Sequence, residues 1–293
     1  MKTKFLLLVM GLWYGAVTAQ SIHPLEPSKN HYRELQKLSA AVTAEHADLD
    51  KITFPSDEYQ SGSLIYVMVA PEYLTPEQVT ELKNSVQFPA NSSEQTKAEL
   101  AFLMDWQQKR SAAQEKRAAE FLAPIGYWPH VSLLRNHNRY EENMEHLFYE
   151  GRTVIGDHCN AKNYPATAKL LQGITKDMRI MEFTVKYHLL RARPYHLEPG
   201  LRPLARMSTP SFASGHTLWA YIHAFAWSEL IPEKRGQFLD VAYEVGESRE
   251  IMGIHYPSDE EAARVLSHKM LSAMWTNPKF KADLKKARQE WKK

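Results

Sequence analysis

The sequence predicts an all-α protein, a single-domain helical bundle preceded by a removable leader, and three observations carry that expectation. Only 12 glycines occur in 293 residues, and two of them, Gly11 and Gly15, fall in the leader. That scarcity, with no G-x-G-x-x-G or Walker loop, disfavours a turn-rich sandwich and a dinucleotide-binding α/β fold. Leu171, Ile174, Met178, Met181 and Val185 recur at spacings of 3, 4, 3 and 4, the stripe of one buried helical face. The segment TLWAYIHAFAWSEL, residues 217–230, is apolar almost all round and suits the centre of a bundle.

In chain order, Lys2 and Lys4 precede an apolar run over 5–17, and Val17 and Ala19 offer a small-residue cleavage site before Gln20. This pattern predicts a signal peptide over 1–19, because the run is too short for a span that needs about 20 apolar residues. Residues 20–293 then form one domain, periplasmic or secreted, with no stable membrane span. A multi-span lipid enzyme is excluded. The leader holds two of the 36 basic residues and none of the 34 acidic ones, so the mature chain is near neutral. A binder of nucleic-acid polymers would show an overall basic excess, and this chain has none. Cys159, the only cysteine, has no partner for an internal disulfide and reads as a structural or surface residue.

The pattern predicts a helix over 28–49 capped by Ser28, then extended or looping chain to about residue 74. A helix opens at Thr75-Pro76-Glu77-Gln78, where Thr75 caps, Pro76 takes the first helical position and Gln78 completes a capping box. One long helix follows over 93–122, and another over 166–190. A further helix over 257–275 turns Ala262, Val265, Leu266, Met270, Ala273 and Met274 inward, and the charged tail 279–293 forms a last, solvated helix.

Three clusters combine reactive or charged side chains with helix ends. In KYHLLRARP, Lys186 and Arg193 lie seven apart, two turns along one helix face, with Pro194 ending the helix; two such cations repel unless they share an anion. In TPSFASGHTLWAY, Ser214 caps the buried helix, Gly215 permits close backbone approach, and the first N–H groups form an anion cradle beside His216. In ESREIMGIHYPSDEEAAR, Pro257 places His255 where a helix opens and Asp259 one turn on. A carboxylate on one imidazole nitrogen fixes the tautomer and leaves the other lone pair to attack. Arg249 adds a fork of donors for phosphate-like oxygens. Each cluster alone also fits a bland reading as a solvated basic edge, a simple cap or a structural His–Asp bond.

Together the clusters resemble the signature of the type 2 phosphatidic acid phosphatase and vanadium haloperoxidase superfamily, K-x6-R-P, then P-S-G-H, then S-R-x5-H-x3-D. The matching positions are Lys186, Arg193, Pro194, Ser214, Gly215, His216, Ser248, Arg249, His255 and Asp259, with Ala213 standing where the family has proline. In length and secretion the chain is most similar to the class A bacterial nonspecific acid phosphatases. The resemblance implies that Lys186, Arg193, Arg249 and the backbone of Ser214 and Gly215 bind phosphoryl oxygens. It implies a phosphohistidine formed on His255, oriented by Asp259, with His216 protonating the leaving oxygen.

It also implies no metal and no cofactor, small phosphorylated substrates, and inorganic phosphate or vanadate as active-site ligands. His188, His196, Arg202 and Arg206 are candidates for the pocket, and Tyr187, Tyr195 and Trp219 for its wall or the core. Two alternatives stay open, a vanadium-dependent haloperoxidase and a non-catalytic phosphate-binding helical protein. A homo-oligomer is open as well.

Overall fold

The computed structural model describes residues 22–59, 61–125, 136 and 138–292; the leader lies outside them. All regular elements among the described residues are helical, with one isolated antiparallel bridge between Thr53 and Arg191. The helices are α1 (Asn30–Leu35), α2 (Pro76–Asn84), α3 (Glu94–Lys109), α4 (Ala112–Lys116), α5 (Tyr140–Leu147), α6 (Tyr149–Ile155) and α7 (Pro165–Leu189). They continue as α8 (Pro194–Leu197), α9 (Gly215–Leu230), α10 (Arg235–Ile251), α11 (Pro257–Met274) and α12 (Pro278–Glu290).

Helix α9 is the axis of the bundle, flanked by α10, α11 and α7, and every one of its residues except His216 is buried. Its predominantly apolar composition is therefore a packing requirement. Helix α7 buries Leu171, Ile174, Met178, Met181 and Val185 completely, as the 3-4 spacing predicts. On α11 the inward residues are Ala263, Leu266, Met270, Leu271 and Met274, whereas Ala262, Val265 and Ala273 are only half-buried. Helix α12 is less solvated than its charges suggest: Phe280, Leu284 and Ala287 are buried against the main core, and Trp291 stacks on Tyr164 at 3.9 Å.

The N-terminal half departs most from expectation. The helix expected over 28–49 is reduced to α1 and a 3-10 segment, Ala44–Lys51. Tertiary partners outbid it: Ser28 donates to Glu261 instead of capping, and the carbonyls of Ser39 and Ala40 accept from Gln95 and Ala90. The helix expected over 93–122 begins at its Ser93 cap and ends near residue 122, but breaks at Arg110. Ser111 and Gln114 form a second capping box there, and Arg110 reaches across to the Ile251 carbonyl at 2.7 Å. The looping stretch after residue 52 contains two 3-10 turns, Ser56–Glu58 and Ser61–Met68.

Candidate active site

The three clusters converge where the end of α7, the start of α9 and the start of α11 meet. Lys186 is buried near the end of α7, and its ammonium donates to the carbonyls of Pro210 (2.7 Å) and Ser211 (3.0 Å). Burial, then the charge of Arg193, pulls its pKa down to about 7.

Arg193 does not share the helix of Lys186. Helix α7 stops at Leu189, Leu190 turns through a left-handed conformation (φ 51°), and Arg193 lies in extended chain whose next residue, Pro194, begins α8 rather than ending α7. Extended chain has a period of two, so Arg191 and Arg193 point to the same side, and both are buried. The Arg193 guanidinium is pinned by the carbonyls of Thr209 (2.9 Å) and Ile254 (2.8 Å) and donates to Nε2 of His255 at 2.8 Å.

His255 is thereby fixed in one tautomer. An arginine N–H can only donate, so Nε2 accepts; Nδ1, 3.0 Å from the Asp259 carboxylate, carries the proton. Burial and the Arg193 charge push this imidazole well below its usual pKa, so it rests neutral. Asp259 also accepts from Arg191 (2.7 Å), Ser211 (2.5 Å) and the backbone N–H of Tyr256 (3.1 Å). Burial alone would raise its pKa, but Arg191, His255 and Ser211 hold it below the carboxylate range.

Arg191 and Ser211 are the residues that motif reading missed. Arg191 also faces Glu99 at 3.5 Å and lies 3.8 Å over the Tyr256 ring. Its sequence signal was the R-A-R alternation, which a helical reading of the segment hid.

Ser214 caps α9, accepting from the Thr217 N–H, and its own N–H donates to the Asp259 carbonyl at 3.3 Å. That bond ties the cradle to α11, and it commits the Ser214 N–H to the fold rather than to an anion. Gly215 packs against the Glu182 carboxylate, which leaves no room for a Cβ. His216, half-buried, donates from Nε2 to the Ala123 carbonyl at 2.9 Å; burial and then Arg249 push its pKa well below the usual value. Arg249, near the end of α10, donates to Ser248 (2.8 Å) and to the Ala118 carbonyl (3.2 Å).

Of the pocket candidates, His196 accepts from the Arg193 N–H at 3.2 Å, whereas His188, Arg202 and Arg206 are exposed. Tyr195 and Trp219 are buried and Tyr187 is half-buried. Cys159 is fully buried, which pushes its thiol up to about 12. Among the described residues, no group of three or more His, Cys, Asp or Glu side chains is placed to hold a metal ion, and no helix is long and apolar enough to cross a membrane.

Residues 164–282, which contain all three clusters, match the family model described as the PAP2 superfamily. The chain is similar to a non-specific acid phosphatase of Providencia stuartii, 28% identical over 227 residues that cover 70% of this chain and 90% of the relative. A non-specific acid phosphatase of Salmonella typhi is 30% identical over 155 residues, 51% of this chain and 61% of the relative. Among solved structures, a transmembrane PAP2-type phosphatidylglycerolphosphate phosphatase from Bacillus subtilis aligns with a TM-score of 0.41 at 16% identity, covering 67% of this chain and 88% of that one. A bacterial vanadium-dependent iodoperoxidase aligns at 0.45 and 14%, covering 66% of this chain and 51% of that one.

Proposed function

We propose that the protein is a secreted, periplasmic acid phosphatase that hydrolyses phosphomonoesters without a metal, through a phosphohistidine on His255. The observation that carries this reading is the line Asp259–His255–Arg193, in which a carboxylate holds the Nδ1 proton and a guanidinium sits on the attacking nitrogen. A purely structural histidine has no use for a buried cation on its second nitrogen. An incoming phosphoryl group draws the Arg193 N–H onto its oxygens, which frees the Nε2 lone pair at the moment it is needed. The similarity to non-specific acid phosphatases supports the same reaction.

Lys186, Arg193, Arg249 and the start of α9 at Gly215 take the phosphoryl oxygens, which supplies positioning and charge stabilisation from side chains and backbone. The Nε2 lone pair of His255 attacks phosphorus, the P–O ester bond breaks, and His216 gives a proton to the departing oxygen. Water then attacks the phosphohistidine, His216 takes its proton, and phosphate leaves with Nε2 restored. His216 is neutral in the resting site, so its acid role relies on the bound phosphate charge to raise its pKa.

Quenching during turnover of a labelled phosphomonoester should trap an acid-labile, base-stable phosphoryl group on His255, and a chelator should leave the rate nearly unchanged. Label on serine or aspartate, or activity lost to the chelator and restored by a divalent ion, would overturn the reading.

A further inference from the structure

We propose that Arg191 is a positioning residue for the reaction: seated by Glu99 and Ser258, it locks the Asp259 carboxylate so that His255 keeps its attacking tautomer in acid. The inference rests on the phosphatase reading above and adds to it the residue that sets how far into acid the enzyme works.

The two oxygens of Asp259 are held differently. Oδ2 accepts from Nδ1 of His255, from the Ser211 hydroxyl and from the Tyr256 N–H, whereas Oδ1 accepts from Nη1 of Arg191 at 2.7 Å. Three bonds to one oxygen fix a point; the bond to the other fixes the plane of the carboxylate. Arg191 is itself seated. Its Nη1 also donates to the Ser258 hydroxyl at 2.8 Å, Ser258 donates to Glu99 at 2.7 Å, and Gln95 donates to the other Glu99 oxygen at 3.0 Å. The guanidinium lies 3.8 Å from the centre of the Tyr256 ring and 4.9 Å from that of Phe88, and Glu99, Arg191 and Asp259 are all buried. The other charges that face Asp259, besides His255, are Lys186 of α7, Arg193, Glu99 of α3 and Glu260 of α11. Lys186 is committed to the carbonyls of Pro210 and Ser211, and Arg193 to Thr209, Ile254 and His255. Among the described residues, Arg191 is therefore the cation that bonds the carboxylate directly.

A proton arriving on Asp259 has to displace a donor. Ser211 can turn its hydroxyl and accept, but an arginine N–H only donates, so a proton on Oδ1 breaks the Arg191 bond. A protonated Asp259 no longer holds the Nδ1 proton of His255. The carboxylic acid donates to Nδ1 instead, the imidazole proton moves to Nε2, and the lone pair that attacks phosphorus is gone. Arg191 keeps this exchange out of the working range, and its charge also opposes direct protonation of the imidazole. Removing it therefore ends activity at a higher pH by either route.

The test is the pH dependence of kcat/KM for p-nitrophenyl phosphate in wild type, Arg191→Met, Arg191→Lys and Glu99→Gln. In Arg191→Met the acid limb of the profile should move up by about 1–3 pH units, the reach of one opposite charge on a carboxylate. Arg191→Lys keeps the charge and should bring the limb most of the way back, with a lower kcat because a single ammonium does not fix the carboxylate plane. Glu99→Gln removes a negative charge and should leave the limb at or below its wild-type position. Arg191→Gln, which removes the charge but can still donate to Oδ1, makes the same comparison if Arg191→Met does not fold. Preincubating each protein at each pH and assaying it at one reference pH separates lost fold from changed ionisation. A merely structural Arg191 lowers the rate at every pH and leaves the limb in place. That result, or a limb that moves up in Glu99→Gln as it does in Arg191→Met, overturns the inference and leaves the phosphatase reading standing. Failure of the wild type to hydrolyse any monoester overturns that reading and this inference with it.

Discussion

His255 and His216 both have pKa values pushed well below the usual histidine value, yet their surroundings differ in the way the two proposed tasks require. His255 has its proton held by Asp259 and its lone pair covered by Arg193, whereas His216 has Nε2 bonded to the Ala123 carbonyl and sits beside the cation Arg249. The difference makes a two-by-two prediction. His216→Ala should lose about 10²- to 10⁴-fold on an alkyl phosphate, whose alkoxide needs a proton, and much less on p-nitrophenyl phosphate, whose phenolate leaves unprotonated. His255→Ala should lose both substrates alike, because no leaving group replaces the attacking nitrogen. Steady-state rates of the two variants on the two esters decide it; equal losses for His216→Ala would reduce that residue to a phosphate ligand or a helix-end contact. The ten motif positions could be read as one constellation because they lie in three short runs. Arg191 and Ser211 could not be separated from their neighbours, since their importance comes from contacts with Asp259, 68 and 48 positions away.

The elements that were legible are those whose signals are local. Thr75 and Gln78 form the expected reciprocal cap, Ser214 caps as expected, and the apolar stripe of α7 is buried as its spacing predicts. The elements that were not legible were decided at a distance. The break at Arg110 and the loss of helix after Leu35 both trade local hydrogen bonds for partners far along the chain. Close helix contacts belong to the same class. Gly173 on α7 faces the Tyr73 ring so closely that a Cβ would stand 2.6 Å from Cζ, and the Tyr73 hydroxyl continues to Asp283 of α12 at 3.0 Å. Gly173→Ala should therefore destabilise the fold by about 1–3 kcal/mol through overpacking, despite alanine's better helix propensity. Equilibrium denaturation should show the lowered midpoint, while kcat at a temperature where the variant is folded stays near wild type, because Gly173 lies between three and four turns from Lys186 along α7. A stabilised variant would mean that Tyr73 yields easily, and that α7 and α12 do not lock through it.

For the whole molecule, the cost of the site is that its cations are buried, and binding an anion should return part of that cost as stability. Lys186 sets the pH window. Its folded pKa of about 7 lies below the ordinary lysine value, so above pH 7 the native chain releases a proton that the unfolded chain keeps. Without an anion, the Lys186 contribution to stability is least favourable below pH 7 and improves as pH rises, by at most about 1.4 kcal/mol per unit. With an anion on the ammonium, the charged form is favoured in the native state; the ligand's contribution is then complete below pH 7 and weakens above it, as binding must first restore the proton. Sulfate is a suitable probe because its own charge does not change over this range. At about 100 times its dissociation constant it should raise the unfolding free energy by about 2.7 kcal/mol near pH 6, and by progressively less between pH 7 and 9. Salts of this kind also strengthen burial generally, and Lys186→Met should retain only that general component, with little pH dependence between 7 and 9. Thermal or urea denaturation of both proteins with and without sulfate across pH 6–9 measures all four cases. A sulfate increment that stays constant with pH in the wild type, or that falls equally in Lys186→Met, would place the responsible proton somewhere other than the ammonium held between Pro210 and Ser211.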